Sequence, residues 1–427
     1  MKRPPAKRFL GFAGWQKARQ LFWILTPELF CKTMHRTIIH LNIADFAVAV
    51  ERTLDRQLRE RPVIIAPLDA PRAAVHDMSE EAYQAGVHKG MPLAAARRLC
   101  REAHLQMPRF GRYAQAMAAL LKRARPFTPL IEPGADDGHL FLDITGTQRL
   151  HGSPEDVARH LRRQIRDDLG FTPIWSVAAN KVVAKVATRI VKPLGTCSVA
   201  PGNEAAFLAP LPLGLIPGLG SPDLQCLQEF NLTRVSQVTA LGADQLAVPF
   251  GRRAARIYET LQGVDPEPVR PLGAPPPEVN AGYTFATDTN GDATIRAVLY
   301  RLAERIGRRL RRQNKVAGKL VLRLRYADSR RQVRQIRLRP ATSDDIRLFG
   351  TAGHLLERVW IRRVRIRTLH LTATALTLPA VQLELFAPEA RAAARQTALI
   401  RVMDSIRDRF GSRAIQPGRT LGLAPSA

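Results

Sequence analysis

Four cysteines in 427 residues, Cys31, Cys100, Cys197 and Cys226, stand far apart with no Cys-x-x-Cys pair. That spacing fits neither a disulfide framework nor a zinc ribbon, and a reducing cytoplasm is the simpler setting. The ten histidines form no His-Glu-x-x-His and pair with no cysteine at ligand spacing, so no metal site is expected from them. No Gly-Lys-Ser or Gly-Lys-Thr closes a glycine loop, which excludes a Walker-type phosphate cradle. No run of about 18 apolar residues occurs, and the basic start at Lys2, Arg3, Lys7 and Arg8 lacks an apolar stretch leading to a small-residue cleavage site. Neither membrane insertion nor export is expected. Acidic residues are heavily outnumbered, 37 against 65 Lys+Arg, for a formal net charge of +28.

What is present is ample core material, 45% hydrophobic residues, so the charge belongs to a folded protein rather than a solvated tail. On a scale of about 100–200 residues per domain, two to four units are expected. The basic residues spread through strand and helix patterns instead of gathering beside a hydrophobic anchor, which favours nucleic acid over a membrane surface as the polyanionic partner.

Along the chain, residues 1–36 read as an extension, with Met34 a possible alternative start before the strand-like Thr37–Leu41. Strand signals at Thr37–Leu41, Arg61–Pro67, Gly138–Ile144 and Ile174–Ala178 alternate with helical ones at 79–104, split in two by Gly86 and the Gly90-Met91-Pro92 turn, at 113–124, from Ser153 onward and at 180–191, an α+β pattern over 37–200. From 201 to 270 short helices separated by glycine turns take over, and a proline-rich linker follows at 271–282. Pro217-Gly218-Leu219-Gly220 and Pro249-Phe250-Gly251 each precede a helix, a repeated hairpin whose backbone N–H groups suit phosphate contact, with Gly218, Gly220, Arg252 and Arg253 as candidates.

The segment 283–378 carries the charge. Between Arg296 and Arg339 there are sixteen Lys/Arg and two acids, Glu304 and Asp328. Strict alternation puts Leu320, Leu322, Leu324 and Tyr326 on one face of a strand and Lys319, Arg323 and Arg325 on the other. Arg337 and Arg339, and then Arg363, Arg365 and Arg367, repeat the pattern, while Ile295, Leu299, Leu302, Ile306 and Leu310 mark one amphipathic helix and 345–359 a second. An antiparallel sheet with helices on one face and arginines on the other is expected. Solvated faces usually mix charge signs, so a face with hardly any acid is better explained by phosphates.

Six segments in order carry a family resemblance: Leu41–Glu51, Arg61–Val63, Ala85–Pro92, Leu140–Ile144, Ala179–Ala187 and the Pro-Gly-Leu-Gly turn. Over residues 37–386 the chain resembles the Y-family of translesion DNA polymerases. The resemblance implies a multidomain right-hand architecture: a palm at 37–200 with fingers inserted at about 63–105, a helical thumb at 201–270 and a little finger at 283–378. It also implies three palm carboxylates that hold two divalent metals. Anchored on Phe46, Glu51 and Leu142-Asp143, those positions fall on Asn42, Gly138 and His139, so all three carboxylates are missing. The triphosphate-holding pair of the fingers falls on Glu80 and Tyr83, and the bulky residue that excludes ribose falls on Ala47. Lys181 matches a phosphate-reaching lysine. Asp45, Asp136, Asp137 and Asp143 are the acids nearby, but a strand residue displaced by one or three points to the opposite face.

An intact body with a dismantled metal site resembles the non-catalytic ImuB-like branch, a component of a bacterial mutagenesis cassette. Val381–Pro388 resembles a β sliding-clamp-binding peptide, with Leu385 and Phe386 as anchors and Gln382 and Leu383 beside them. The branch further implies an accessory mutagenesis protein and an error-prone replicative-type polymerase as partners. The tail at 389–427 holds a helical stretch with Leu399, Val402, Met403, Ile406 and Phe410 on one side, suited to docking on the body or to a partner. The expectation is a DNA-binding, clamp-recruited protein of lesion bypass without nucleotidyl transfer and with no cofactor. The alternative is a divergent active polymerase, for which Mg²⁺ would be required.

Overall fold

The computed structural model describes residues 35–70, 72–134, 137–274, 277–379, 387–411, 414–416 and 418–420. They form two compact units, 1–68 with 73–273, and 69–72 with 274–427.

In the first unit β1 (Ile38–Asn42) runs into helix α1 (Phe46–Leu54), and a small three-stranded sheet follows, built from β2 (Val63–Ile65), β3 (Asp77–Met78) and β4 (His104–Gln106) in the order β3-β2-β4. Between β3 and β4 lie α2 (Glu80–Gln84) and α3 (Leu93–Leu99), so the stretch 79–104 is two short helices parted by Gly86 and Gly90, both at positive φ. This inserted subdomain has its own core around Ile64, Val75, Met78, Ala82 and Val87. The chain then returns through α4 (Phe110–Ala124), β5 (Ile131–Pro133), β6 (His139–Asp143), α5 (Gln148–His151), α6 (Pro154–Leu169), β7 (Ile174–Ala178), α7 (Lys181–Ile190) and β8 (Thr196–Ser198).

The main sheet has the order β5-β6-β1-β7-β8, with β1 central and antiparallel to both neighbours. Its alternation decides which face is core. Ile39, Leu41, Leu140 and Leu142 point into a cluster with Phe46, Val50, Tyr113, Leu120, Leu161 and Ile165 from α1, α4 and α6. His40, Asn42, His139 and Phe141 point the other way, where α7 packs across β1 and β7. Helix α6 shows how local signals fix an element: Ser153 caps it, Pro154 opens it, and Gly170 ends it at φ 73°. Short helices complete the unit: α8 (Glu204–Leu208), α9 (Ser221–Glu229), α10 (Val235–Thr239), α11 (Gly242–Phe250) and α12 (Ala254–Leu261).

The second unit is a sheet with helices on one face, as its alternation predicts. Strands β9 (Val279–Thr289), β10 (Val316–Tyr326), β11 (Arg331–Thr342) and β12 (Ile366–Thr377) pair antiparallel in the order β11-β10-β12-β9. Helices α13 (Asp292–Arg312) and α14 (Asp345–Val359) bury Ile295, Leu299, Leu302, Ile306, Leu348 and Leu355 against Leu320, Leu322, Leu324, Leu369 and Leu371. The linker is shorter than expected, because Val279–Gly282 already belong to β9. Arg363 and Arg365 lie in the bend before β12, where Arg367 alone of the three is in the strand. A last helix, α15 (Ala387–Phe410), closes the unit. The clamp-like residues Gln382, Leu383, Leu385 and Phe386, and the acid Asp136, lie outside the described residues, as do residues 1–34.

Candidate functional site

The palm-like sheet brings together the positions where the resemblance expects carboxylates. Asn42 pairs with His139 across β1 and β6, and Gly138 precedes it, its carbonyl accepting from Ile43 N–H at 3.1 Å. Asn42 is 1% exposed and its amide nitrogen has no hydrogen-bond partner. Gly138 is buried with φ 78°, and a Cβ added there would stand 2.8 Å from Phe46 Cβ. The carboxylate is therefore not only absent at 138; backbone and packing leave no room for it.

Histidines occupy the space instead. His139 Nδ1 lies 3.0 Å from His40 Nε2, and His40 Nδ1 lies 2.7 Å from Thr188 Oγ1, whose own proton goes to the Lys185 carbonyl at 2.9 Å. With the Thr188 proton on the Lys185 carbonyl, neutral His40 donates Nδ1–H to Thr188 and accepts at Nε2 from His139 Nδ1–H; the opposite tautomers reverse both roles. Phe141 stacks on His40 at 4.4 Å between ring centroids. Burial, reinforced by His139, Lys185, Arg189 and Lys192, holds the His40 pKa well below its ordinary value. Burial likewise pushes His139 down to about 4, with Lys185, Lys192 and Lys89 adding to it against Asp137.

The neighbouring acids are committed elsewhere. Asp143 accepts from Thr145 N–H at 3.0 Å and from its hydroxyl at 2.5 Å, and Asp77 takes Ala47 N–H at 2.9 Å, Met78 N–H at 3.0 Å and Lys89 at 2.8 Å. Asp137 is exposed, its Oδ1 3.3 Å from the His139 amide. Asp45 precedes α1 at φ 47°, and burial with the charge of Asp77 pushes its pKa up to about 6. Hard divalent cations want several oxygen ligands. This site offers one free imidazole nitrogen, a buried amide and flanking lysines, and no group of three or more His, Cys, Asp or Glu among the described residues could hold a metal ion. The residues present do not fit a pair of magnesium ions.

Lys181 does not reach outward for phosphate. Its ammonium pairs with Glu132 at 3.1 Å and lies 3.7 Å from Glu267, and Arg270 joins Glu132 at 2.9 Å. Burial opposes the Glu132 charge, but the hydrogen bonds from Arg270 and Lys181 outweigh it and hold the carboxyl below its ordinary range. Asn180 caps α7 through Val183 N–H at 2.9 Å and donates to the Gly263 carbonyl at 2.7 Å. The Asn-Lys pair thus starts a helix and ties it to the segments at 132 and 263–270. Where the triphosphate pair was expected, Glu80 accepts from Gln84 at 3.3 Å and Tyr83, 49% exposed, meets the edge of His88.

At the first glycine hairpin, Gly218 turns at φ 92° with open space where a Cβ would stand. The Gly220 N–H is not available to a phosphate, since it donates to Asp223 at 3.0 Å, and Asp223 also receives both terminal nitrogens of Arg253 at 2.9 and 2.8 Å. Arg253 therefore braces one hairpin from the other. Gly251 ends α11 at φ 53°, and Arg252 beside it is exposed.

The arginine sheet is the broadest candidate surface. Arg323, Arg337 and Arg339 are exposed and Lys319 and Arg325 half-buried on the face opposite the core, with Lys319 paired to Arg337 and Arg325 to Arg331 across the ladder. Burial and the like charges of Arg367 and Arg331 lower the Arg325 pKa, and its Nε is buried without a partner. Like charges crowded so closely call for an anion. Arg367 differs, being held at 3.1 Å on Asp288, a carboxylate it shares with Arg72 at 2.5 Å. Sequence periodicity found the sheet but not this ion pair, which joins residues 79 apart.

Comparison with known proteins identifies the family. The impB/mucB/samB family matches residues 41–189, and its C-terminal domain matches residues 277–385. DNA polymerase IV of Dehalococcoides mccartyi (strain ATCC BAA-2266 / KCTC 15142 / 195) is 32% identical over 390 residues, covering 91% of this chain and 98% of its own, and that of Desulfatibacillum aliphaticivorans is 32% identical over 384 residues, covering 89% and 96%. Among solved structures, a Y-family DNA polymerase chimera of Dbh and Dpo4 superposes with a TM-score of 0.64 at 21% identity, covering 80% of this chain and all of the other. An insertion ternary complex of Dbh DNA polymerase superposes at 0.55 and 20% identity over the same shares. The chain belongs to the Y-family DNA polymerases.

Proposed function

We propose that this protein holds primer–template DNA in translesion synthesis without itself joining nucleotides, in the manner of the ImuB-like branch. The observation that carries this reading is the palm itself: Asn42, Gly138 and His139 at the three carboxylate positions, no room for a side chain at 138, and lysines around a neutral imidazole pair. The arginine sheet supplies sequence-independent grip on the backbone. The clamp-like peptide at 382–386 would bring the protein to the sliding clamp, and an accessory mutagenesis protein with a replicative-type polymerase would supply the synthesis.

A second reading rests on a different observation. Relatives named DNA polymerase IV match nearly their whole length, which favours an active, divergent error-prone polymerase using Mg²⁺, and kinship weighs more for that reading than for the adaptor. Primer extension by purified protein with Mg²⁺ or Mn²⁺, controlled for contaminating polymerase, separates the two. The adaptor reading expects DNA binding and no extension. Template-directed incorporation that disappears on Asp45→Ala or Asp137→Ala would establish the polymerase instead.

A further inference from the structure

Helix α15 meets α13 with its polar side. Leu399, Val402 and Phe410, which recur at helical spacing, stand 54, 57 and 67% exposed, and among the described apolar side chains of the helix only Ile400 is fully buried. Ions hold the two helices together. Asp404 receives Arg311 at 2.7 Å, and the same guanidinium reaches Asp345 at 2.7 Å; Asp408 receives both Arg308 and Arg312; Arg407, 3% exposed, meets Glu304. Helices in a protein normally adhere by burying an apolar stripe. The two pairs on the half-exposed Asp408 are weakened by salt and displaceable by a competing polyanion, whereas the buried Arg407–Glu304 pair is screened much less.

What the helix covers is itself a phosphate-binding pattern. Arg308, Arg311 and Arg312 stand at i, i+3 and i+4 on α13, and with Lys315, Arg347 and Arg401 they line a cavity of about 820 Å³ whose acids are Asp404 and Asp408 of α15 and Asp344 at the start of α14. We propose that α15 is an electrostatic latch: its carboxylates occupy an arginine row that binds DNA phosphates once the helix is released. This surface lies on the helical side of the unit, apart from the arginine sheet, so release adds a second DNA-binding surface and does not replace the first.

The latch rests on the reading of the protein as a DNA binder, and the experiment separates the two. Affinity of the full chain for a primer–template duplex is measured by anisotropy between 50 and 300 mM KCl, for the parent, for Asp404→Asn/Asp408→Asn, and for the charge-matched control Glu60→Gln/Glu102→Gln on exposed acids remote in sequence. Each additional phosphate neutralised by the protein steepens the slope of log K against log salt by about 0.9. The parent is expected to bind with the slope of the sheet alone, the latch variant to be steeper by about two, the control to match the parent, and Arg308→Ala/Arg312→Ala added to the latch variant to restore the parent's slope. Hydrogen exchange over 399–411 supplies a readout independent of net charge: the helix should be protected in the parent and deprotected in the latch variant. A latch variant with the parent's slope, a control as steep as the latch variant, or a helix equally protected in parent and latch variant overturns the latch. A parent that binds no DNA overturns the underlying reading.

Discussion

Restoring a side chain at residue 138 should cost far more than a carboxylate on a strand end ordinarily does. The φ of 78° adds about 1–2 kcal/mol for any residue with a Cβ, and overpacking against Phe46, whose Cβ, Cγ and Cδ2 would lie within 2.9 Å, adds about 1–3 kcal/mol. The sum, about 2–5 kcal/mol, corresponds to a fall in Tm of roughly 5–15 °C for a body of this size. Both contributions belong to the Cβ, so Gly138→Ala should be nearly as damaging as Gly138→Asp. Gly90 supplies the control: its φ is 81° and nothing lies within 4 Å of a Cβ there, so Gly90→Ala should show the backbone contribution alone, about 1–2 kcal/mol. Thermal melts followed by circular dichroism give all three values. If Gly138→Ala melts with Gly90→Ala, the clash with Phe46 is not real, and the palm can take its carboxylate back.

Acid should loosen the palm through its imidazole pair. His40 and His139 are neutral in the fold, and the unfolded chain takes protons near pH 6.5, so their contribution is complete above that pH and is lost as pH falls toward 4, at up to about 1.4 kcal/mol per pH unit for each ring. Asp45 works in the opposite sense, its raised pKa favouring the fold as pH falls from about 6 toward 3.8, but it is one group against two. Around the pair stand Lys185, Lys192, Lys89, Arg189 and Asp137; with these unchanged, His139→Phe should flatten the dependence of Tm on pH between 6.5 and 4.5, and an unaltered profile would refute the assignment. On the sheet, Arg323→Ala/Arg325→Ala should reduce the salt slope of DNA binding by up to about two, whereas Arg367→Ala, whose guanidinium is already held on Asp288 beside Arg72, should change it little; equal effects would mean the sheet is read wrongly. Leu385→Ala/Phe386→Ala should abolish binding to the sliding clamp in a pull-down and leave DNA affinity unchanged, and clamp binding that persists would discard the peptide.

Local signals carried most of the fold. The alternation of Leu320, Leu322 and Leu324 with Arg323 and Arg325 set both faces of the sheet, and the spacing over 345–359 gave α14 its bounds. The motif anchors Phe46 and Leu142-Asp143 named Asn42 and His139 separately, and it is the sheet that sets them opposite each other across β1 and β6. What stayed hidden were partnerships between residues distant in the chain. Lys181 looked like a phosphate ligand because nothing near it in sequence announces Glu132, and the Gly220 amide looked open because Arg253, which orients Asp223, lies 30 residues on. The stripe of the tail left docking on the body or on a partner open, and in α15 Leu399, Val402 and Phe410 stay exposed, Met403 and Ile406 are half-buried, and ion pairs reach α13.

The missing carboxylates and the surrounding lysines amount to a single reversal of sign. In a palm with three carboxylates, a phosphate approaching the sheet meets like charge and must come with divalent cations that bridge the two. Here the sheet carries a buried His40 and a half-buried His139 with Lys185, Lys192 and Lys89 near them, so the positive charge is covalently fixed, and among the described residues no cluster anchors a metal-activated hydroxyl. Fixed lysines can attract a phosphate, but they cannot exchange it between an attacking oxygen and a leaving pyrophosphate as a pair of metals does. Retaining attraction while removing the means of transfer is what distinguishes holding DNA from extending it. The same logic extends to the rest of the molecule, where the excess charge concentrates on the arginine sheet and the row beneath α15 rather than on any reactive centre.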